Sequence, residues 1–311
     1  MDKEGALTAD LQGVASDRPD GPEASGQSPL SAFVAAAPAD AVRALAEDIG
    51  TGDVTARLVP AAAVARARLV CRDAAVVCGQ PWADAVLAAV DPLVWVQWQV
   101  GEGARAKPGT VIAEFEGPAA SLLTAERTML NFLQTLSAIA TRTRAFVDAV
   151  AHTRARICDT RKTLPGLRMA SKYAVRIGGG HNQRIGLGDG ALIKENHIRA
   201  SGGIAKAVDA VYCAATNVPL QVEVTSLDEL RQALEARASR ILLDNFSLEM
   251  MRVAVQQYGE VAELEASGGV SLDTVPAIAE TGVHRISVGS LTKDVIATDL
   301  SLQFWPWPEP G

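Results

Sequence analysis

Six short apolar runs recur through the second half of the chain: ARICDT, GALIKENH, LQVEVTS, RILLDNF, AELEASGG and RISVGSL. Segments with helical patterning follow several of them, among them SLDELRQALEA, SLEMMRVAVQQYG and SLDTVPAIAETG. In the first of these, Ser226 and Glu229 form the capping-box pattern, in which a serine caps the helix N-terminus and a glutamate reaches back. A strand followed by a helix, repeated at roughly 20 to 35 residues, specifies parallel strands in a barrel or a doubly wound sheet. Asp159, Lys194, Glu223, Asp244 and Ser267 each fall within or at the end of such a run. A barrel would gather them at one rim or its interior mouth, where enzymes of that architecture do their chemistry. Any one of them has an ordinary explanation, as Asp244 would in a turn or cap. Five in matching places mark a site.

The first half reads differently. PADAVRALAEDIGTGDVT is a helix ending in a glycine turn, and VARARLVCRDAAVVCG is a strand pair or one long strand. DPLVWVQWQVGEGARAKPGTVIAEFEG alternates apolar and polar residues around Gly101, Gly103 and the Pro108-Gly109 turn, which signals antiparallel strands. The hairpin has something of a biotinyl or lipoyl carrier, but such a carrier presents its lysine at a tight tip, whereas Lys107 precedes a proline. Residues 118–151 are strongly helical and bridge the two halves, their apolar positions serving a core or a subunit interface. On its own, Arg127 beside Glu126 reads as a surface charge.

Charge narrows the function. The 311 residues carry a net charge of -7, with 48% hydrophobic and 21% charged residues and no apolar run approaching a membrane span. The acidic stretch 1–29, rich in Gly, Pro, Ser and Asp, reads as a flexible tail without a signal or presequence pattern, so a cytoplasmic location is expected. Cys71, Cys78, Cys158 and Cys213 have no metal-ligand spacing and read as reduced thiols. Between Ala151 and Lys206, eleven Lys or Arg face three acidic residues, a local balance of +8 that leaves the rest at -15. His152, His181 and His197 fall there too. DNA binding asks for a broad basic face, so this concentration fits a small polyanion better.

The basic segment explains which polyanion. DTRKTLPGLR places Arg161, Lys162 and Arg168 in one loop after a strand; Arg184 follows the triple glycine Gly178 to Gly180, and Lys194 lies in the next strand. The planar fork of arginine pairs bidentately with carboxylates, while lysine suits phosphate oxygens as a compact charge. Both together imply substrates bearing carboxylates and phosphates. Gly268, Gly269 and Gly289 would let backbone N–H groups approach a phosphate.

With EDIGTGDVT (Glu47–Thr55), ERTMLNFLQTLSAIAT, DTRKTLPGLR, GGGHNQRIGLGDGALIKENHI, VEVTSLDEL, LLDNF, EASGGV and SVGSLTKD, the chain resembles the quinolinate phosphoribosyltransferase family from about Phe33 onward. The resemblance implies an α/β fold: an N-terminal open-sandwich domain over 30–129, completed by 294–311, and a C-terminal seven-stranded α/β barrel over 130–293. It also implies a homodimer with shared active sites. The implied reaction converts quinolinate and phosphoribosyl pyrophosphate, with Mg2+, to nicotinate mononucleotide, pyrophosphate and CO2 in de novo NAD biosynthesis. Arg127 matches the arginine that reaches quinolinate from the neighbouring subunit. Arg161 and Arg184 match those that hold its carboxylates, and Lys162 and Lys194 match lysines of the substrate and pyrophosphate region. Glu223 and Asp244 match acids near the ribose and magnesium. Ser267, Gly268 and Gly289 match the phosphate cradle. Where many members read Asn-His-Arg, this chain has Asn182-Gln183-Arg184, with a histidine at His181 instead; both Gln183 and His181 stand as expected substrate contacts. The rival readings are a paralogous phosphoribosyltransferase-like protein of the molybdate-transport type and, more remotely, an aldolase using Lys194 as a Schiff base.

Overall fold

The computed structural model describes residues 29–214 and 218–305. The tail expected over 1–29 lies outside the described residues except for Pro29, which begins the helix Pro29–Val34, and residues 306–311 of the Trp/Pro-rich ending lie outside them too. Twelve strands occur among the described residues: β1 (Val64–Cys71), β2 (Ala75–Val76), β3 (Trp95–Trp98), β4 (Arg105–Ala106), β5 (Val111–Pro118), β6 (Arg156–Cys158), β7 (Ala191–Ile193), β8 (Leu220–Val224), β9 (Arg240–Asp244), β10 (Glu263–Ser267), β11 (Arg285–Ser287) and β12 (Leu300–Phe304). They divide between two compact units. One runs to Ala145, takes in Lys162–Asn182 and resumes at Gly289; the other comprises Phe146–Arg161 and Gln183–Val288.

The first unit centres on an antiparallel sheet of order β12-β1-β5-β3, with β2 and β4 paired separately. Strand β1 shows the period of two that a half-buried sheet imposes: Ala65, Ala67, Leu69 and Cys71 are buried, while Arg66 and Arg68 point to solvent. The VARARLVCRDAAVVCG run is thus two strands. Helix Gln80–Val90 starts after Gly79, at φ +108, with no cap from its own sequence. Glu102 supplies the missing acceptor, taking the N–H groups of Gly79 at 2.8 Å and Gln80 at 3.1 Å. Trp82 of this helix is fully buried, its indole N–H donating to Asp40 of helix Ala37–Ile49 at 2.9 Å and its ring lying 5.1 Å from Tyr173 of helix Arg168–Ile177. One aromatic side chain thereby ties three helices together, an arrangement that satisfies its polar edge while burying its ring.

The triple glycine belongs to packing. A Cβ on Gly178 would lie 2.6 Å from the Ala140 carbonyl and 2.6 Å from Thr143 Cβ, and one on Gly180 would lie 2.8 Å from Thr143 Cγ2. Glycine lets the end of helix Arg168–Ile177 run against the long helix Ala119–Ala149 at a distance no side chain allows.

The second unit is a parallel sheet of order β6-β11-β10-β9-β8-β7. From β7 to β11 each strand neighbours its successor, and β6, the first in the chain, lies beside the last; this is the cyclic order of a barrel. All six apolar runs are strands. Helices Leu227–Glu235 and Leu248–Tyr258 follow β8 and β9, capped by Ser226 and Ser247 through the N–H groups of Glu229 and Met250, each at 3.2 Å. The glutamate half of the Ser226 box is displaced by one residue, Glu229 accepting from the Thr225 N–H at 2.7 Å. Among the described residues this sheet has six strands, consistent with the expected α/β barrel fold of seven. The stretch between β6 and β7 is rich in glycine, and some of its amides turn to side chains: Gln183 N–H to Asp159 at 2.8 Å, Ile185 N–H and Gly186 N–H to Asp189 at 2.6 and 2.7 Å. No helix among the described residues is long and apolar enough to cross a membrane.

Gly178→Ala is expected to destabilise the protein by about 1–3 kcal/mol through overpacking against Ala140 and Thr143. Urea unfolding should show a lower midpoint at unchanged slope, and a wild-type midpoint would show that the helices part without cost.

Candidate active site

Register fixes what the parallel sheet offers at each level. Partners across a ladder share a face, so Gln221 and Glu223 of β8, Arg240, Leu242 and Asp244 of β9, Glu263, Glu265 and Ser267 of β10, and Arg285 and Ser287 of β11 all project from the same side. The opposite side carries Val222, Val224, Ile241, Leu243, Leu264, Ala266 and Ile286, all buried. One face is therefore apolar core, and the other is a polar lining arranged in levels from the N-terminal to the C-terminal ends of the strands.

At the C-terminal level stand the residues expected from the sequence. Asp159 directly follows β6, Lys194 follows β7, Asp244 ends β9 and Ser267 ends β10, with Asp244 and Ser267 paired in register. Glu223, one residue from the end of β8, forms an ion pair with Lys194, whose side chain is 47% exposed. That half-wet, paired setting is the opposite of the dry pocket a Schiff-base lysine needs. Burial first, and then the charge of Arg161, lower the pKa of Arg184, with Asp189 opposing. Arg184 also donates to the Gly190 carbonyl at 2.9 Å. Gly268 and Gly269 adopt φ +104 and +58, and a Cβ at Gly268 would fall 2.1 Å from Asn245 Oδ1. Only glycine fits there, leaving bare backbone beside Asp244, whose carboxylate accepts from Asn245 Nδ2 at 3.0 Å.

Arg127, Lys162, His181 and Gly289 belong to the first unit. Arg127 is exposed on helix Ala119–Ala149, and the residues flanking it explain the EDIGTGDVT motif: Thr124 donates to Asp53 at 2.8 Å and Thr128 to Asp48 at 3.2 Å. Asp53 also accepts the Ala56 and Thr55 N–H groups, and these hydrogen bonds hold its pKa below the usual value. Lys162 is exposed, and its backbone is held by Thr292 Oγ1, which donates to the Lys162 carbonyl at 2.7 Å. The rest of that loop is fastened by Arg168 to Thr163 at 3.3 Å and Arg43 to the Gly166 carbonyl at 3.3 Å. His181 is half-buried at an isolated bridge. Gly289 caps the one-turn helix Ser290–Lys293 with an ordinary φ of -64, and the neighbouring Ser290 Oγ is buried without a hydrogen-bond partner among the described residues.

Six polar residues of the lining escape the sequence reading: Gln221, Arg240, Glu263, Glu265, Arg285 and Ser287. Glu265 is 1% exposed and accepts from Gln221 Nε2 at 3.1 Å, from Arg285 Nε at 3.0 Å, from Ser287 Oγ and from Gln183 Nε2. Burial opposes the charge of Arg285, yet Cys158, Glu265 and Glu263 outweigh it and raise its pKa. The signal lay in AELEASGG and HRISVGSL, where polar residues alternate inside runs otherwise apolar. Among the described residues no group of three or more His, Cys, Asp or Glu is placed to cage a metal. Glu223 and Asp244, on one face of adjacent strands, offer the one or two carboxylates that magnesium takes when substrate phosphates complete its shell.

The sequence pattern described as quinolinate phosphoribosyl transferase, N-terminal domain, matches residues 53–137, and that of the C-terminal domain matches residues 139–303. The carboxylating nicotinate-nucleotide pyrophosphorylase of Mycobacterium leprae is 46% identical over 270 residues, which span 84% of this chain and 94% of that protein. The probable enzyme of the same name from Bacillus subtilis is 41% identical over 257 residues, spanning 82% and 89%. A solved structure of the nicotinate-nucleotide pyrophosphorylase from Francisella tularensis superposes with a TM-score of 0.84 at 44% identity, covering 89% of this chain and 98% of that one. Matched in both domains and along nearly the full length of its relatives, the chain belongs to the quinolinate phosphoribosyl transferase family.

Proposed function

We propose that this protein transfers the phosphoribosyl group of phosphoribosyl pyrophosphate to the ring nitrogen of quinolinate, releasing pyrophosphate and CO2 and leaving nicotinate mononucleotide. The observation that carries the reading is the joining of the two backbone segments that bear Arg161 and Arg184 at the C-terminal end of β6, where the Gln183 N–H donates to Asp159 at 2.8 Å; the charge of Arg161 reaches Arg184 and, after burial, helps lower its pKa. Two guanidinium groups within each other's field are costly unless an anion is meant to join them, and a pyridine diacid brings two carboxylates. The names of the relatives and of the matching family agree with this substrate.

The chemistry rests on the same row of side chains. As the bond from the anomeric carbon to pyrophosphate breaks, positive charge grows on the sugar, and the carboxylates of Glu223 and Asp244 stabilise that charge or hold the ribose hydroxyls. Lys162 and Lys194 offset charge on the departing pyrophosphate, with Lys194 handed between Glu223 and phosphate oxygens. The ring nitrogen bonds to the anomeric carbon and becomes cationic; the adjacent carboxylate leaves as CO2, its bonding electrons stay on the ring carbon, and a proton replaces it. Glu223 and Asp244, together with the sugar's phosphates, would hold a magnesium ion, which would supply further neutralisation of the leaving group. Ser267 and Gly268 suit the 5'-phosphate as neutral donors, and the resemblance adds Gly289. His181 is a further substrate contact in this reading. Arg127 acts in the neighbouring subunit of a homodimer in the cytoplasm, and the partners are small molecules rather than nucleic acid or membrane. The enzyme orients and neutralises, and no covalent intermediate is required.

An assay with quinolinate, phosphoribosyl pyrophosphate and magnesium should yield quinolinate-dependent CO2, with nicotinate rejected as substrate; absence of CO2 would favour the molybdate-transport type of relative. Arg161→Ala and Arg184→Ala should each lose about 2 to 4 kcal/mol of transition-state stabilisation, a fall on the order of 30- to 1,000-fold in kcat/KM, while circular dichroism stays unchanged. Wild-type turnover in both would remove the arginine pair from the mechanism. Mixing inactive Arg127→Ala and Arg161→Ala subunits should restore partial activity in verified heterodimers, and no recovery there would refute a shared site.

A further inference from the structure

The resemblance casts Gln183 as a substrate contact, but its side chain is turned the other way. Its backbone N–H donates to Asp159 Oδ1 at 2.8 Å, and Asp159 is fully buried. Its amide nitrogen donates to Ser287 Oγ at 2.8 Å and to the carboxylate of Glu265, one level below the rim. Glu265 in turn gathers Gln221, Ser287 and Arg285. Gln183 is thus fastened to the end of β6 through Asp159, to β10 through Glu265 and to β11 through Ser287, and the residue after it is Arg184.

We propose that Gln183 and Glu265 form a positioning pair that holds Arg161 and Arg184 in register for a dicarboxylate, rather than touching that substrate themselves. The physical need is plain. Arg161 stands two residues after Asp159 and Arg184 one after Gln183, so two like charges are carried on adjoining segments; burial first, and then the charge of Arg161, lower the pKa of Arg184. The Asp159 to Gln183 hydrogen bond clamps together the two backbone segments that carry them. The amide bond to Glu265 then fixes how deep that clamp sits. Preorganising like charges before the anion arrives moves their repulsion from the binding step to folding, where the buried network offsets it. A neutral amide suits the place: it donates to a buried carboxylate whose counter-charge, Arg285, is already supplied. Gln183 is in this view a positioning residue.

This inference rests on the reading of the arginines as carboxylate ligands, and the test separates the two. Gln183→Leu keeps bulk and removes the hydrogen bonds; it should raise KM for quinolinate at least tenfold while changing kcat and KM for phosphoribosyl pyrophosphate less than threefold. Gln183→Glu, which sets two carboxylates against each other, should do worse. The exchange Gln183→Glu with Glu265→Gln restores one amide and one carboxylate in the cluster and should recover most of the lost KM. Failure of the exchange to rescue, in a protein whose melting temperature it does restore, would mean that position 183 meets the substrate directly and would overturn the proposal. So would a Gln183→Leu enzyme with wild-type KM. A wild-type protein that releases no CO2 from quinolinate would instead bring down the functional reading itself.

Discussion

A buried carboxylate must be met by donors on every side or it unfolds the structure around it. Glu265 is met by donors from β8, β11 and the Gln183 loop, and the polar face of the parallel sheet is organised about it. Its guanidinium partner Arg285 also lies within 4.0 Å of Glu263, and Arg240 pairs with Glu263 at 3.0 Å, so the two carboxylates meet two guanidinium groups before the rim is reached. Glu223 shares the level of Glu265 and is paired with Lys194, and above it the sheet can present Asp244 and the arginine pair. The polar lining is therefore a stack with separate tasks: neutrality beneath, chemistry at the top.

The sheet's two faces explain why the sequence is legible in some respects and silent in others. Strands buried on both faces read as continuous apolar runs, which is why ARICDT and RILLDNF announce themselves, and the position of Asp159 or Asp244 is set by where such a run stops. The rim of the second unit could thus be named in advance. Orientation could not. Gln183 adjoins an arginine in a glycine-rich stretch, and nothing in the one-dimensional pattern says that its amide descends to Glu265. Glu265 and Arg285 lie inside strands, where a lone polar residue has the same appearance whether it faces solvent or a carboxylate cage.

Glycines mislead for a related reason. Gly268 and the triple glycine Gly178 to Gly180 look alike in sequence, yet the first leaves backbone open beside Asp244 through a left-handed turn, while Gly178 and Gly180 accommodate a helix crossing. Both are answers to lack of room, and only three-dimensional neighbours tell which. The segment between β6 and β7 belongs here too: rich in glycine and in local side-chain acceptors, it satisfies amides through Asp189 rather than through a ladder.

Strand β12 occupies the edge of the antiparallel sheet, pairing along β1 from Cys71 with Leu300 to Ala67 with Phe304. On the ribosome, β1 emerges long before its neighbour, so the earlier-made sheet must wait with one flank bare until the whole parallel-stranded unit has been synthesised. Maturation of this enzyme is accordingly closed by a late-arriving ribbon.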